Sequence, residues 1–290
     1  MWLLNPSKCA LLPLLSYSKA GLLACTVAFT ATVQANDELT NNELEAPSQT
    51  QQEPQHEAAV SKAISTSCTN SLSYKFFYKS SHVGNINRQQ KWHNQQADMS
   101  TSGEVSFLMF NFTGNHQSKV YWNDTQKQYL TREFKQDVKG LTHTKVSALF
   151  SDNGLVSKVI ANDEKAEYSD FKLPILDFEA ISTQMRQNLI SNTKEFDFLM
   201  QKSDELGHYY FSVVGEEDLN VLGKNYRTIK VQQVKKKDRK LYLWFAPELD
   251  YQLVKSTYKR KIIDIEANLS QFDLGCAKLS LNEAKPQQGL

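Results

Sequence analysis

Two cysteines, Cys68 and Cys276, bracket a long stretch in which apolar and polar side chains alternate. Neither belongs to a C-x-x-C pair and no histidine lies at ligand spacing from them, so zinc and dithiol redox chemistry lack their usual patterns. Two thiols left over in an oxidising compartment form a structural disulfide. Closing a loop of that length stabilises a fold by at most ~5 kcal/mol. The six histidines (His56, His82, His93, His116, His143 and His208) show no H-x-x-H or H-E-x-x-H spacing, which excludes a helical zinc motif. There is no G-x-S-x-G elbow, phosphate-binding loop or G-x-G-x-x-G turn. The expectation is therefore no catalytic residue, no metal site and no cofactor. Glu216-Glu217-Asp218 reads as a solvated turn where a strand ends, and Lys235-Lys236-Lys237-Asp238-Arg239-Lys240 as a charged hairpin tip that discourages edge pairing.

The elements that must carry these residues begin after an N-terminal leader. Gly21 to Thr32 is an uncharged apolar run preceded by Lys8 and Lys19, and it ends in Val33-Gln34-Ala35 before polar Asn36-Asp37. That pattern predicts a secretory signal peptide, residues 1–35, cleaved after Ala35. A run of a dozen residues is too short to cross a ~30 Å hydrocarbon core. Leu22-Leu23-Ala24-Cys25 has the form of a lipoprotein box, but the residues after Cys25 stay apolar as far as Val33, which argues against acylation there. Residues 36–67 are rich in Asn, Gln and Glu and carry six acids against Lys62. Such a segment buries too little surface to offset its ordering entropy and reads as a disordered linker. The remainder carries 30 basic and 26 acidic side chains, a surplus too small to require nucleic acid as a partner. No later stretch is long and apolar enough to span a membrane as a helix. The mature protein is therefore expected in the periplasm, with residues 68–280 as one domain and 281–290 as a disordered tail.

Within that domain, period-2 alternation predicts strands. Leu72, Tyr74, Phe76 and Tyr78 share one face, a turn is placed at His82-Val83-Gly84, and Ile86–Trp92 follows. Val105–Phe112 reads as one strand covered on both faces, and Lys119–Trp122 and Tyr129–Phe134 as short strands. Ser151-Asp152-Asn153-Gly154 separates Lys145–Phe150 from Leu155–Ile160, a strong hairpin signal. Phe178, Ile181, Met185 and Leu189 then fall at spacings of three and four, with Asp177 as N-cap, predicting an amphipathic helix within 173–190. Six more strands follow between Glu195 and Leu269. Short connections require antiparallel neighbours. The predicted fold class is mainly β: a large curved antiparallel sheet, half-barrel or nearly closed barrel, wrapping one long α-helix.

Three stretches carry a family resemblance: Gly215–Val231 (GEEDLNVLGKNYRTIKV), Leu243–Tyr251 (LWFAPELDY) followed by Leu253-Val254, and Tyr74-Lys75 with Tyr78 and Val83-Gly84. Together they resemble the bacterial exported family called domain of unknown function 3108, over roughly residues 70–270. Leu253 stands where that family usually has proline. The resemblance implies an exported β-rich envelope protein and transfers no catalytic residue. Physically, Ala246-Pro247 ends a strand by removing a ladder donor, and Trp244 and Tyr251 are placed to pack across the turn.

A curved sheet around a helix leaves room for an apolar groove, for which the sequence nominates Phe107, Met109, Phe110, Phe198 and Trp244. The function expected is a non-enzymatic periplasmic binding module for an apolar or lipid-like envelope ligand. The alternatives are a structural or interaction protein of the envelope, with another envelope protein as partner, and an enzyme acting on envelope glycans or lipids.

Overall fold

The computed structural model describes residues 67–107, 110–169, 171–203 and 205–276. The leader, Cys25, most of the linker, Met109 and the 281–290 tail lie outside the described residues. All described residues fall in one unit. Alternating side chains lay down β1 (Ser67–Tyr78), β2 (Ser81–His93), β3 (Gln96–Phe107), β4 (Phe110–Asn123), β5 (Gln128–Lys139), β6 (His143–Ser151), β7 (Val156–Ala161) and β8 (Glu164–Tyr168). After β9 (Ile175–Leu176) comes the helix α1 (Phe178–Ile190). The strands resume with β10 (Glu195–Gln201), β11 (Leu206–Val221), β12 (Lys224–Val234), β13 (Lys240–Ala246), β14 (Gln252–Arg260) and β15 (Ile263–Leu274).

The 15 strands among the described residues form one sheet. Each strand from β1 to β7 pairs antiparallel with the next, β15 returns to pair with β1, and the sheet continues back from β14 to β10, with β9 parallel to β10 at the far edge. The two edges, β8 and β9, are therefore neighbours in sequence. A flat sheet of this width would hold its edges roughly 65 Å apart at the usual strand spacing. The six residues between Tyr168 and Ile175 reach about 25 Å at full extension. The sheet must curve strongly to let the chain cross, and β9 indeed meets β5.

The Cys68–Cys276 disulfide forms, with Cα atoms 4.9 Å apart, and ties the start of β1 to the chain just after β15. Asp177 caps α1 in extended conformation, its side chain accepting from Ala180 N–H. The β6–β7 hairpin turns through Asp152, Asn153 and Gly154, all with positive φ, and the added Cβ of any other residue at 154 would crowd Pro174.

Four expectations need correction. The first turn lies at Lys79-Ser80, both left-handed, and Gly84 is inside β2, where a Cβ would come within 2.0 Å of the Glu104 carbonyl oxygen. That glycine marks a close approach between strands, which sequence alone does not separate from a turn. Val105–Phe112 is not one strand: β3 ends at Phe107, β4 begins at Phe110, and the two residues are register partners. An apolar tip without Gly, Asn or Asp hides the reversal. Glu216-Glu217-Asp218 does not enter a turn either. β11 continues through it past a register shift at Gly215, and the three pair with Ile229, Thr228 and Arg227. Trp244 and Tyr251, finally, pack into different apolar clusters instead of against each other. The basic run does occupy the β12–β13 hairpin tip, and β13 stops at Ala246 before Pro247.

Candidate functional site

Helix α1 presents two stripes. The apolar one, Ala180, Ile181, Met185 and Leu189, enters a core cluster built with Leu130, Phe198, Phe211, Val231 and Leu243 among others. The second stripe is polar, buried at Glu179 and half-buried at Ser182 and Arg186. Glu179 is 0% exposed, yet it accepts from Arg88 Nε at 2.8 Å and Nη2 at 2.5 Å and from the Thr101 hydroxyl at 2.5 Å. Arg88 also donates through Nη1 to the Ser182 hydroxyl at 2.9 Å. The guanidinium and hydroxyl supply the compensation that burial demands.

Two residues earlier, Asp177 combines its capping role with His116 (2.8 Å) and the Thr131 hydroxyl (2.8 Å), while Thr131 accepts from the Asp177 backbone N–H. Burial opposes ionisation of Asp177. Hydrogen bonding and charge from His116, together with the Ala180 and Thr131 donors, outweigh it and hold the carboxyl below its ordinary value. Further along, the Gln184 side chain accepts from Tyr129 N–H at 2.7 Å. Arg186 then grips the β13–β14 loop, donating to the Asp250 carbonyl at 2.7 Å and pairing with its carboxylate. That loop carries Asp250 and Tyr251 in the left-handed region, an unfavourable conformation for a bulky residue.

Two spaces flank these staples. One is an apolar chamber of about 120 Å³ between α1 (Phe178, Ile181, Met185) and sheet residues that include Phe76, Leu241 and Leu243. Tyr74 stands in its wall, donating to the Leu253 carbonyl at 2.9 Å, and burial pushes its hydroxyl pKa up to about 12. The other is a cleft of about 280 Å³ beside the disulfide. The two share Arg88, Ser182, Phe245 and Leu253 as a common wall.

Of the groove residues nominated from sequence, none whose side chain is described lines either space. Phe110 is 44% exposed at the β3–β4 tip. Phe198 is buried among Phe196 and Phe211, at ring separations of 5.7 and 6.0 Å. Trp244 lies between Leu243 and Phe245, which face the chamber, and strand alternation turns it to the other face. There Lys230 and Lys255 flank its ring, and its indole N–H donates to Glu217. The side chain of Phe107 is not described. The residues that line the spaces on α1 had a legible signal. Ser182 and Arg186 repeat at helical spacing with Glu179, which holds Arg88 in the common wall, beside the apolar stripe, but a charged stripe ordinarily reads as a solvated face.

Among the described residues, no group of three or more His, Cys, Asp or Glu side chains is arranged to hold a metal, and no helix is long and apolar enough to cross a membrane. His208 sits half-exposed between Asp197 (2.5 Å) and the Tyr210 hydroxyl (3.0 Å).

No family model and no curated protein matches the chain. Among solved structures it is similar to a β-barrel-like protein of domain of unknown function 1849 from Brucella abortus. That match has 7% identity and a TM-score of 0.49, over 72% of this chain and 98% of the other.

Proposed function

We propose that this is an exported, non-enzymatic binding module of the bacterial envelope, taking the apolar part of a lipid-like ligand into the chamber between α1 and the sheet. The observation that carries the reading is the chamber itself, lined almost wholly by carbon, with the curved sheet on one side and the helix on the other. Interiors pack to crystal density, so a space of this size between two core elements stands out. It is comparable to an engineered cavity of about 150 Å³ that binds benzene. The proposed ligand therefore inserts a ring or a short acyl segment, not two full chains. Curling of the sheet around the helix would form the walls, with the Glu179 and Asp177 staples fixing the helix at a set distance from them. Export is supported by the leader pattern and by a disulfide that suits an oxidising compartment. The motif resemblance to the exported family of domain of unknown function 3108 points the same way.

The test is titration with N-phenyl-1-naphthylamine, a small probe that fluoresces in apolar surroundings. Saturable binding is expected. Met185→Trp, which fills the chamber, should abolish it, and Phe110→Ala at the exposed hairpin tip should leave it unchanged. Equal binding by the wild type and Met185→Trp would place any apolar site elsewhere and overturn the reading.

A further inference from the structure

The second space has a different chemistry. Its walls include two aromatic side chains, Trp92 and Tyr129, held edge to face at 5.6 Å, and the planar carboxamides of Gln90 and Gln252. Gln252 is only 4% exposed, yet its carboxamide makes no hydrogen bond to any described residue. Gln90, equally withdrawn, accepts from Asn70 at 3.4 Å through its oxygen, and its nitrogen has no protein acceptor among the described residues. Buried amide groups are nearly always satisfied. Neither amide belongs to the few fully enclosed polar atoms without partners, so both remain accessible from the cleft they line.

The charges around the cleft cancel. Arg88 is neutralised by Glu179 and Arg186 by Asp250, and no lysine lines the space. An anionic headgroup would have to compete with a carboxylate already in place. A wholly apolar ligand would leave the carboxamides unpaired. At about 280 Å³ the cleft lies just under the roughly 300 Å³ at which small-molecule sites begin, room for one six-membered ring with its substituents.

We infer that this cleft is a binding site for one uncharged sugar ring. The aromatic side chains would take the apolar face of the ring, and the Gln252 carboxamide, offering both a donor and an acceptor, and the Gln90 nitrogen, offering a donor, would pair its hydroxyls. The inference stands on the cleft alone and does not require the chamber to be filled. If both are occupied, the common wall at Arg88 and Phe245 would join a sugar head to an apolar tail.

The experiment is titration of the full mature chain with neutral monosaccharides, N-acetylglucosamine and glucose, and with glucose 6-phosphate, followed by protein NMR shifts. At least one neutral sugar should bind saturably in the millimolar range, as expected for a single ring, with shifts centred on Trp92 and Tyr129. The phosphorylated sugar should bind no more tightly. Gln252→Leu, close to isosteric, should weaken binding at least about tenfold, the effect of losing a hydrogen-bonding group in a buried site. Trp92→Ala should do the same, and Trp92→Phe should retain part of the affinity. Naphthylamine binding in the chamber should survive Gln252→Leu, which shows that the variant is folded. No neutral sugar binding, tighter binding of the phosphorylated sugar, or unchanged affinity in Gln252→Leu would each overturn the inference. Intact naphthylamine binding alongside such a failure would leave the chamber reading standing.

Discussion

Replacing Glu179 with alanine should be among the most damaging single changes in the helix. The side chain is fully buried and holds the guanidinium of Arg88, itself only 8% exposed, together with the Thr101 hydroxyl. Removing one partner of such a pair strands the other charge in a medium that solvates it poorly, at a cost of about 3–5 kcal/mol. Domains of this kind are stable by about 5–15 kcal/mol in all, so the loss is a large fraction of the whole. The double variant Arg88→Met/Glu179→Leu removes both charges and keeps the volume, and it should lie within about 1 kcal/mol of the wild type or exceed it. Equilibrium urea unfolding with the disulfide intact measures all three proteins. A loss below about 1 kcal/mol in Glu179→Ala, or a double variant as unstable as the single, would refute the claim that this is a desolvated, mutually dependent pair.

Three further outcomes follow from the geometry. Cys68→Ser/Cys276→Ser should lower stability by up to about 5 kcal/mol through the loop the bond closes, 208 positions apart; identical urea midpoints with and without reductant would contradict this. Asp177, whose carboxyl is held below its ordinary value of 3.8, contributes stability that is complete above that value and is lost as pH falls through its lower folded value. Urea midpoints measured against pH should therefore decline less steeply below about pH 4 in Asp177→Asn than in the wild type, and parallel curves would remove His116 and Thr131 as stabilisers of the carboxylate. Gly84→Ala should cost at least about 1–3 kcal/mol by forcing β2 from β3, and a wild-type midpoint would show that the strands approach less closely.

Much of this fold is written in local pattern. Alternation marks most strands from Leu72 onward, Asn153-Gly154 marks the β6–β7 turn, and the spacing of Phe178, Ile181, Met185 and Leu189 marks α1 down to its Asp177 cap. The cysteine count alone suggested that the start and end of the domain meet. What local pattern does not carry is which element lies opposite which. Arg88 and Glu179 are 91 positions apart, Thr101 and Glu179 are 78, and His116 and Asp177 are 61. A glutamate beside an apolar stripe looks solvated until a sheet closes over it. The aromatic residues nominated for a groove illustrate the same limit. Phe198 and Trp244 are as apolar as a ligand site requires, but only the register decides that one fills core and the other turns to the far face. The residues that line the cleft come from β1, β2 and the turn after it, β5, α1, β13, the β13–β14 loop, β14 and the segment after β15, a set no single window of sequence contains.

The central claim is that the space between α1 and the sheet receives an apolar group. Crystals of the protein soaked with bromobenzene test it most directly, because bromine is located by its anomalous scattering. The account predicts a peak against Met185, Ile181 and Leu243. A well-diffracting crystal with no bromine in the chamber, or with bromine only on the outer faces, would contradict it.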